Sequence, residues 1–176
     1  MRVLGIDPGF ERLGIAILES AQGGSASSRK EKVLFSECFK TSSKLEFAER
    51  LSLIGEEVRE VIKKYKPEVL AIETLFLNTN QKTVMRVAEA RGVVVYEAAR
   101  AGLKIFEATP LQIKIATTSY GRADKTQVMK MIRILVDMEN NPVRSREGSQ
   151  RPSASNGTDD ELDAIAIALT GFACLK

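Results

Sequence analysis

The 176-residue chain contains no histidine, and that absence removes most of the common catalytic machinery. Ser-His-Asp triads, Cys-His proteases, histidine-ligated zinc and the usual histidine general base are all excluded. Cysteine is scarce too. Cys38 and Cys174 are the two present, and they make neither a metal-ligand spacing nor a disulfide framework. No apolar run approaches the roughly 20 residues a membrane span requires. Residues 1 to 20 carry Arg2, Asp7, Glu11, Arg12 and Glu19, which is too much charge for a targeting signal. The expectation is a cytoplasmic protein with no membrane partner. An enzyme built from this chain must work with carboxylates, lysines, hydroxyls or a metal held by oxygen.

The length allows one compact domain over residues 1–176 with a full core, and is too short for two large ones. The net charge of +3 is unevenly spread. Residues 1–81 hold 12 basic and 12 acidic side chains, residues 82–133 hold 10 and 4, and residues 134–176 hold 4 and 7. The middle third is therefore a basic block of +6, made of Lys82, Arg86, Arg91, Arg100, Lys104, Lys114, Arg122, Lys125, Lys130 and Arg133. Such a block either solvates helix surfaces or forms a phosphate-binding face.

RVLGID, LGIAILES and EKVLFSECF read as three short strands in an antiparallel meander, with AQGGSASSRK as the connection between the last two. Phe47, Leu51, Ile54, Val58 and Ile62 at helical spacing predict a helix from about Ser43 to Tyr65, stopped by Lys66-Pro67. EVLAIE is a near-continuously apolar strand of the kind buried in a parallel sheet. A helix from about Lys82 to Ala101 follows, its middle apolar on all sides at Gly92-Val93-Val94-Val95-Tyr96. KIFEAT is a fifth strand, LQIKIAT a short helix, and Asp124 to Val136 a further helix with Val128, Met131, Ile132, Leu135 and Val136 on one stripe. Residues 139–157 lack apolar periodicity and form a long polar loop, either functional or disordered. The last helix starts at TDDE, where Thr158 and Glu161 suit a capping box, and runs on as AIAIALTGFA. The fold class is α/β, a five-stranded mixed sheet with three antiparallel strands followed by parallel ones, flanked by helices.

Four acids stand where burial is expected. Asp7 ends the first strand, Glu73 ends the fourth, and Asp160 and Asp163 share one face near the start of the last helix. Asp7 before Pro8-Gly9 could simply open a turn, and Asp160 could simply favour the helix dipole. Glu73 has no cap to make, and Asp163, one turn into an apolar helix, needs a partner. Converging carboxylates repel unless they shift their pKa values or share cations. Oxygen-only ligation suits hard cations such as Mg²⁺ or Mn²⁺. Two such ions about 4 Å apart can activate water and hold both oxygens of an in-line displacement, as metal nucleases do. Pro8 keeps Asp7 extended and Gly9 turns the chain away, which mounts the carboxylate at the strand tip.

GIDPGFERLGIAI, AIETLF, EARG and DELDAIAIAL resemble, in order, the motifs of the RuvC-type Holliday-junction resolvases, a branch of the ribonuclease H-like superfamily. The resemblance runs from residue 1 to about 173. It implies that Asp7, Glu73, Asp160 and Asp163 bind a divalent metal, Mg²⁺ with Mn²⁺ as substitute, one or two ions per subunit. It implies a homodimer that cuts symmetric strands of a four-way DNA junction, leaves 5′-phosphate ends and works with a branch-migration helicase complex. Phe76 matches a family aromatic that stacks on bases near the junction centre, though a core role is equally open. Lys114 and Lys125 match lysines that support phosphate binding and catalysis. With Lys82, Arg86 and Arg122 they give the basic block a DNA-binding direction. The helix from Lys82 to Ala101 is the candidate dimer interface, unless it is only buried in its own domain. Arg144, Arg146 and Arg151 make the long loop a candidate DNA contact or a functionless insertion. Two rivals share features with this reading: a pre-ribosomal-RNA nuclease of the same superfamily, and a non-catalytic junction-binding module. An actin-like or sugar-kinase ATPase needs a second lobe that 176 residues do not supply.

Overall fold

A computed structural model describes residues 1–20, 30–75, 81–137 and 158–175, with the side chains of 81 and 82 left aside. The strands are β1 (Arg2–Asp7), β2 (Arg12–Glu19), β3 (Glu31–Lys40), β4 (Val69–Glu73), β5 (Lys104–Ala108) and β6 (Val136–Asp137). The helices are α1 (Phe47–Tyr65), α2 (Gln81–Arg100), α3 (Pro110–Thr118), α4 (Lys125–Leu135) and α5 (Asp159–Leu175). The sheet order is β5-β4-β1-β2-β3-β6. β1, β2 and β3 form the antiparallel meander, and β4 and β5 extend it in parallel from β1.

The sheet has six strands where five are expected from the sequence. The sixth, Val136–Asp137, pairs in parallel with Glu31 and Lys32 of β3 at the far edge. Two residues are too few to show alternation, and Val136 continues the apolar stripe of α4, so sequence pattern places it in the helix.

Alternation along the strands makes two cores. Leu4, Ile6, Ile15, Ile17, Leu70 and Ile72 face one side and pack under α1 and α2. Val3, Ala16, Leu18, Val69 and Ala71 face the other and pack under α5. Successive strand residues point to opposite faces, so a strand buried on both sides needs apolar residues at every position, as β1 and β4 have.

α5 lies unusually close to the sheet because two glycines make room. A Cβ on Gly5 would come within 2.2 Å of the Ala164 carbonyl oxygen, and one on Gly14 within 2.2 Å of the Asp160 carbonyl oxygen. Any larger residue at either position displaces the helix.

α1 begins at Phe47 rather than Ser43. The Ser42 side chain takes up the preceding chain, its Oγ accepting from the Lys44 N–H at 3.2 Å and its carbonyl from the Leu45 N–H at 3.3 Å. Such local serine bonds compete with helix. The helix starts instead where Glu49 accepts from the Glu46 N–H at 2.9 Å. Among the described residues no helix is long and apolar enough to cross a membrane.

Candidate metal centre

The parallel pairing of β1 with β4 runs to Ile6 opposite Ile72, so the next residues, Asp7 and Glu73, leave the sheet side by side. On the other flank, Asp7 faces Gly14 of β2. The missing side chain of Gly14 is the pivot of the site. A Cβ there would meet the Asp160 carbonyl at 2.2 Å and the Asp7 Cβ at 3.1 Å, so the first turn of α5 sits directly over the end of β1. Asp163 follows one turn later on the same side.

The four acids are coupled electrostatically. Asp7 is raised to about 7, first by burial and then by the charges of Asp163, Glu73 and Asp160, with Lys125 opposing. Burial and then Asp163 push the Glu73 carboxyl up. Burial also raises Asp163; the Lys125 bond pulls against it, while Asp159 and Asp160 add to the rise. Partial burial works against the Lys125 ammonium, but its bond to Asp163 and the charges of Asp163 and Asp159 outweigh that and hold its pKa above the ordinary value.

Two cations divide the cluster. Lys125, at the start of α4 behind the Asp124 cap, donates to Asp163 Oδ2 at 3.1 Å and lies 3.5 Å from Asp159. Arg12 donates to Asp160 Oδ2 through Nε at 2.7 Å and through Nη2. Asp7 and Glu73 keep the uncompensated charge. Among the described residues, no three acid or cysteine side chains are gathered tightly enough to hold an ion as they stand. On α5, Asp163 is bonded by Lys125 and Asp160 by Arg12. By its chemistry the donor set fits a hard cation: all four groups are carboxylate oxygens, and burial together with the charges of the other three raises Asp7 to about 7.

The basic block splits in the same way. Arg91 is taken up internally, donating from Nε to the Glu73 carbonyl at 3.2 Å and from Nη2 to Glu107 at 2.6 Å. It therefore fixes the chain that carries Glu73. Arg100 lies 3.8 Å from Glu97. Arg86 stacks over the rings of Phe10 and Phe47, with its guanidinium carbon 5.7 and 5.2 Å from the centroids, just beyond the turn that follows Asp7. Arg122 is exposed between α3 and α4, and Lys114 is half-buried on α3. Phe76, the Lys82 side chain and the loop 139–157 with its arginines lie outside the described residues.

Sequence reasoning missed Arg12, and it saw Glu161 only as a partner of Thr158 and not as a link to β3. Arg12 looks like any charged residue at a strand start. Glu161 is buried beside the site, accepting from Ser36 Oγ at 3.1 Å and from Thr158 Oγ1 at 3.1 Å. Its bond to Ser36 ties the first turn of α5, which carries Asp160, to β3.

The model of the family described as crossover junction endodeoxyribonuclease RuvC matches residues 3–171. The chain belongs to this family. It is 40% identical over 169 residues to the crossover junction endodeoxyribonuclease RuvC of Caldicellulosiruptor saccharolyticus, covering 96% of this chain and 90% of that protein. The solved RuvC of Thermus thermophilus superimposes with a TM-score of 0.76 at 32% identity, covering 97% of this chain and 92% of the other. The same enzyme in complex with a Holliday junction gives 0.75 at 29% identity with the same coverage. The RuvC family membership and the six-stranded mixed sheet together establish the ribonuclease H-like fold class.

Proposed function

We propose that this junction-resolving endonuclease acts as a homodimer that nicks symmetric strands of a four-way DNA junction, with Mg²⁺ or Mn²⁺ held by Asp7, Glu73, Asp160 and Asp163. The observation that carries it is the placing of Asp7 beside Glu73 at one end of the sheet, with Asp7 raised to about 7 by burial and by the charges of Asp163, Glu73 and Asp160. One or two hard cations there supply Lewis acidity to the scissile phosphate and to the attacking water.

The chain's own residues do the rest. Asp7 and Glu73 are fixed by paired strands, so little reorganisation is needed when substrate arrives. Lys125 neutralises Asp163 in the free protein and is placed to turn its ammonium toward a phosphate once that charge is otherwise matched. Arg86, Lys114 and Arg122 carry positive charge around the site and hold the DNA backbone. Products end in 5′-phosphates, and a branch-migration helicase complex is the partner that delivers the junction. Incubation of labelled four-way junction and linear duplex, with Mg²⁺ and with chelator, tests this reading. Paired symmetric nicks in the junction alone, and only with metal, support it; cleavage in chelator, or equal cutting of duplex, defeats it and favours the rival nuclease or the binding module.

Lys125→Ala is expected to slow turnover roughly 10-fold and to lower the slope of log binding constant against log salt by about 1. Rates and affinities measured from 50 to 200 mM salt check this, and an unchanged slope removes Lys125 from the DNA face.

Dimerisation has its best support on α2. Met85 and Tyr96 are 66% and 60% exposed although apolar, and Gly92 lies exposed between them, with no atom within 4 Å of a Cβ built there. Gly92→Arg therefore fits one chain without a clash and improves helix propensity by up to about 1 kcal/mol, yet blocks close approach of a second α2. Light scattering is expected to show a folded monomer. A dimer that survives with unchanged affinity places the interface elsewhere.

A further inference from the structure

Arg12 is half-exposed, so its ion pair with Asp160 adds little to stability. Its placement is nevertheless closely controlled. A Cβ on Gly9 would sit 2.1 Å from the Arg12 carbonyl oxygen, which makes the turn after Asp7 too tight for any other residue. That turn is gripped from outside. The Phe10 carbonyl accepts from Thr41 Oγ1 at 2.6 Å and from Arg50 Nη2 at 3.2 Å, and the Glu11 carbonyl from the Thr41 N–H at 3.1 Å. Arg50 is itself buried at 5% exposure and bonds Thr41 Oγ1 through Nε at 2.9 Å. A surface arginine with no task has no need of a buried clamp at its root.

The guanidinium closes on one oxygen of Asp160, not on both. Nε at 2.7 Å and Nη2 both donate to Oδ2, and Cys38 Sγ approaches the same oxygen at 3.3 Å. Among the described residues three donors meet on Oδ2, which leaves Oδ1 as the open face of the carboxylate.

We propose that Arg12 is a positioning residue for the metal centre: by holding Oδ2 it fixes the Asp160 carboxylate so that Oδ1 is presented as a single-oxygen ligand. Groups that hydrogen-bond a ligating carboxylate set its orientation, and losing one typically costs about 10- to 100-fold in metal affinity. A guanidinium suits the task better than an ammonium, because its planar fork puts two donors on one acceptor in a fixed direction. The same turn thus carries both a ligand, Asp7, and the group that aims another ligand 148 residues away in the chain.

This rests on the metal-centre reading, and the experiment separates the two. Mn²⁺ binding to the full chain without DNA is titrated by electron paramagnetic resonance of the free ion at pH 8, for the wild type, Arg12→Ala, Arg12→Lys and Asp7→Asn. Arg12→Ala is expected to weaken binding about 10-fold or more, Arg12→Lys to recover part of the loss, and the metal-free melting temperature of both to stay near that of the wild type. If Asp7→Asn loses Mn²⁺ while Arg12→Ala binds it as tightly as the wild type or more tightly, Arg12 has no positioning role, or competes with the ion, and the proposal is overturned. If Asp7→Asn also binds as the wild type does, the metal centre itself lies elsewhere and both readings fall.

Discussion

Asp7→Asn is expected to abolish junction cleavage, by on the order of 10³-fold or more, while leaving junction binding within about threefold of the wild type. Asp7 is buried and is coupled to Asp163, Glu73 and Asp160 at once. Asparagine keeps its size and its place at the strand tip but removes the charge a hard cation requires. The basic groups that would hold DNA, on α2, α3 and the turn before α4, are untouched. Cleavage and gel-shift assays on the same variant check both halves. Residual cleavage within tenfold of the wild type would falsify the assignment of Asp7 as a ligand.

The second large effect is on stability, and it runs against intuition for an acid. In the metal-free protein Asp7 sits near 7, whereas its ordinary value is 3.8. Between those values the native state holds a proton that the unfolded chain has already released, so raising the pH pulls toward unfolding. The contribution of Asp7 to stability is greatest below pH 3.8 and falls progressively as the pH rises to about 7. Over the window of roughly three pH units the loss approaches 4 kcal/mol at most. Burial raises Glu73 and Asp163 in the same direction. For a chain of this size, a loss of that order lowers the melting temperature by about 10 °C. Chelated protein is thus expected to melt lower at pH 8 than at pH 5.5, and saturating Mg²⁺ or Mn²⁺ to restore the difference, since it binds the deprotonated form. The variant that kills cleavage should flatten this profile and raise the metal-free melting temperature at pH 8, because it removes the charge that is being repelled. A melting temperature that holds steady or rises with pH in chelator contradicts the burial and mutual repulsion of these acids.

These two outcomes connect the chemistry to what could be read in advance. That Asp7 and Glu73 end apolar strands and that Asp160 and Asp163 share a helical face follows from spacing alone. That strands one and four are neighbours is written in neither strand; it comes from the parallel pairing of Ile6 with Ile72. The basic block was legible as composition but not as function. Arg91 counts in the sequence as one of ten cations in that block, and in the fold it is bonded to the Glu73 carbonyl and to Glu107. The apolar middle of α2 was legible as well, but only the structure shows that Val94 is buried while Gly92 and Tyr96 face outward.

The sequence by itself determined the elements other than β6, the two-faced burial of β1 and β4, and the positions of the four carboxylates, because periodicity and end signals are local and each is written within one segment. Tertiary structure alone decided which cation answers which acid. Arg12 and Asp160 are 148 residues apart, and Lys125 and Asp163 are 38 apart; no local pattern carries such a pairing. It also decided how near α5 comes to the sheet, since the room left by Gly5 and Gly14 has meaning only once the Ala164 and Asp160 carbonyls lie against them. A missing side chain is silent in a sequence, and here it is what lets the first turns of α5 lie against the ends of β1 and β2.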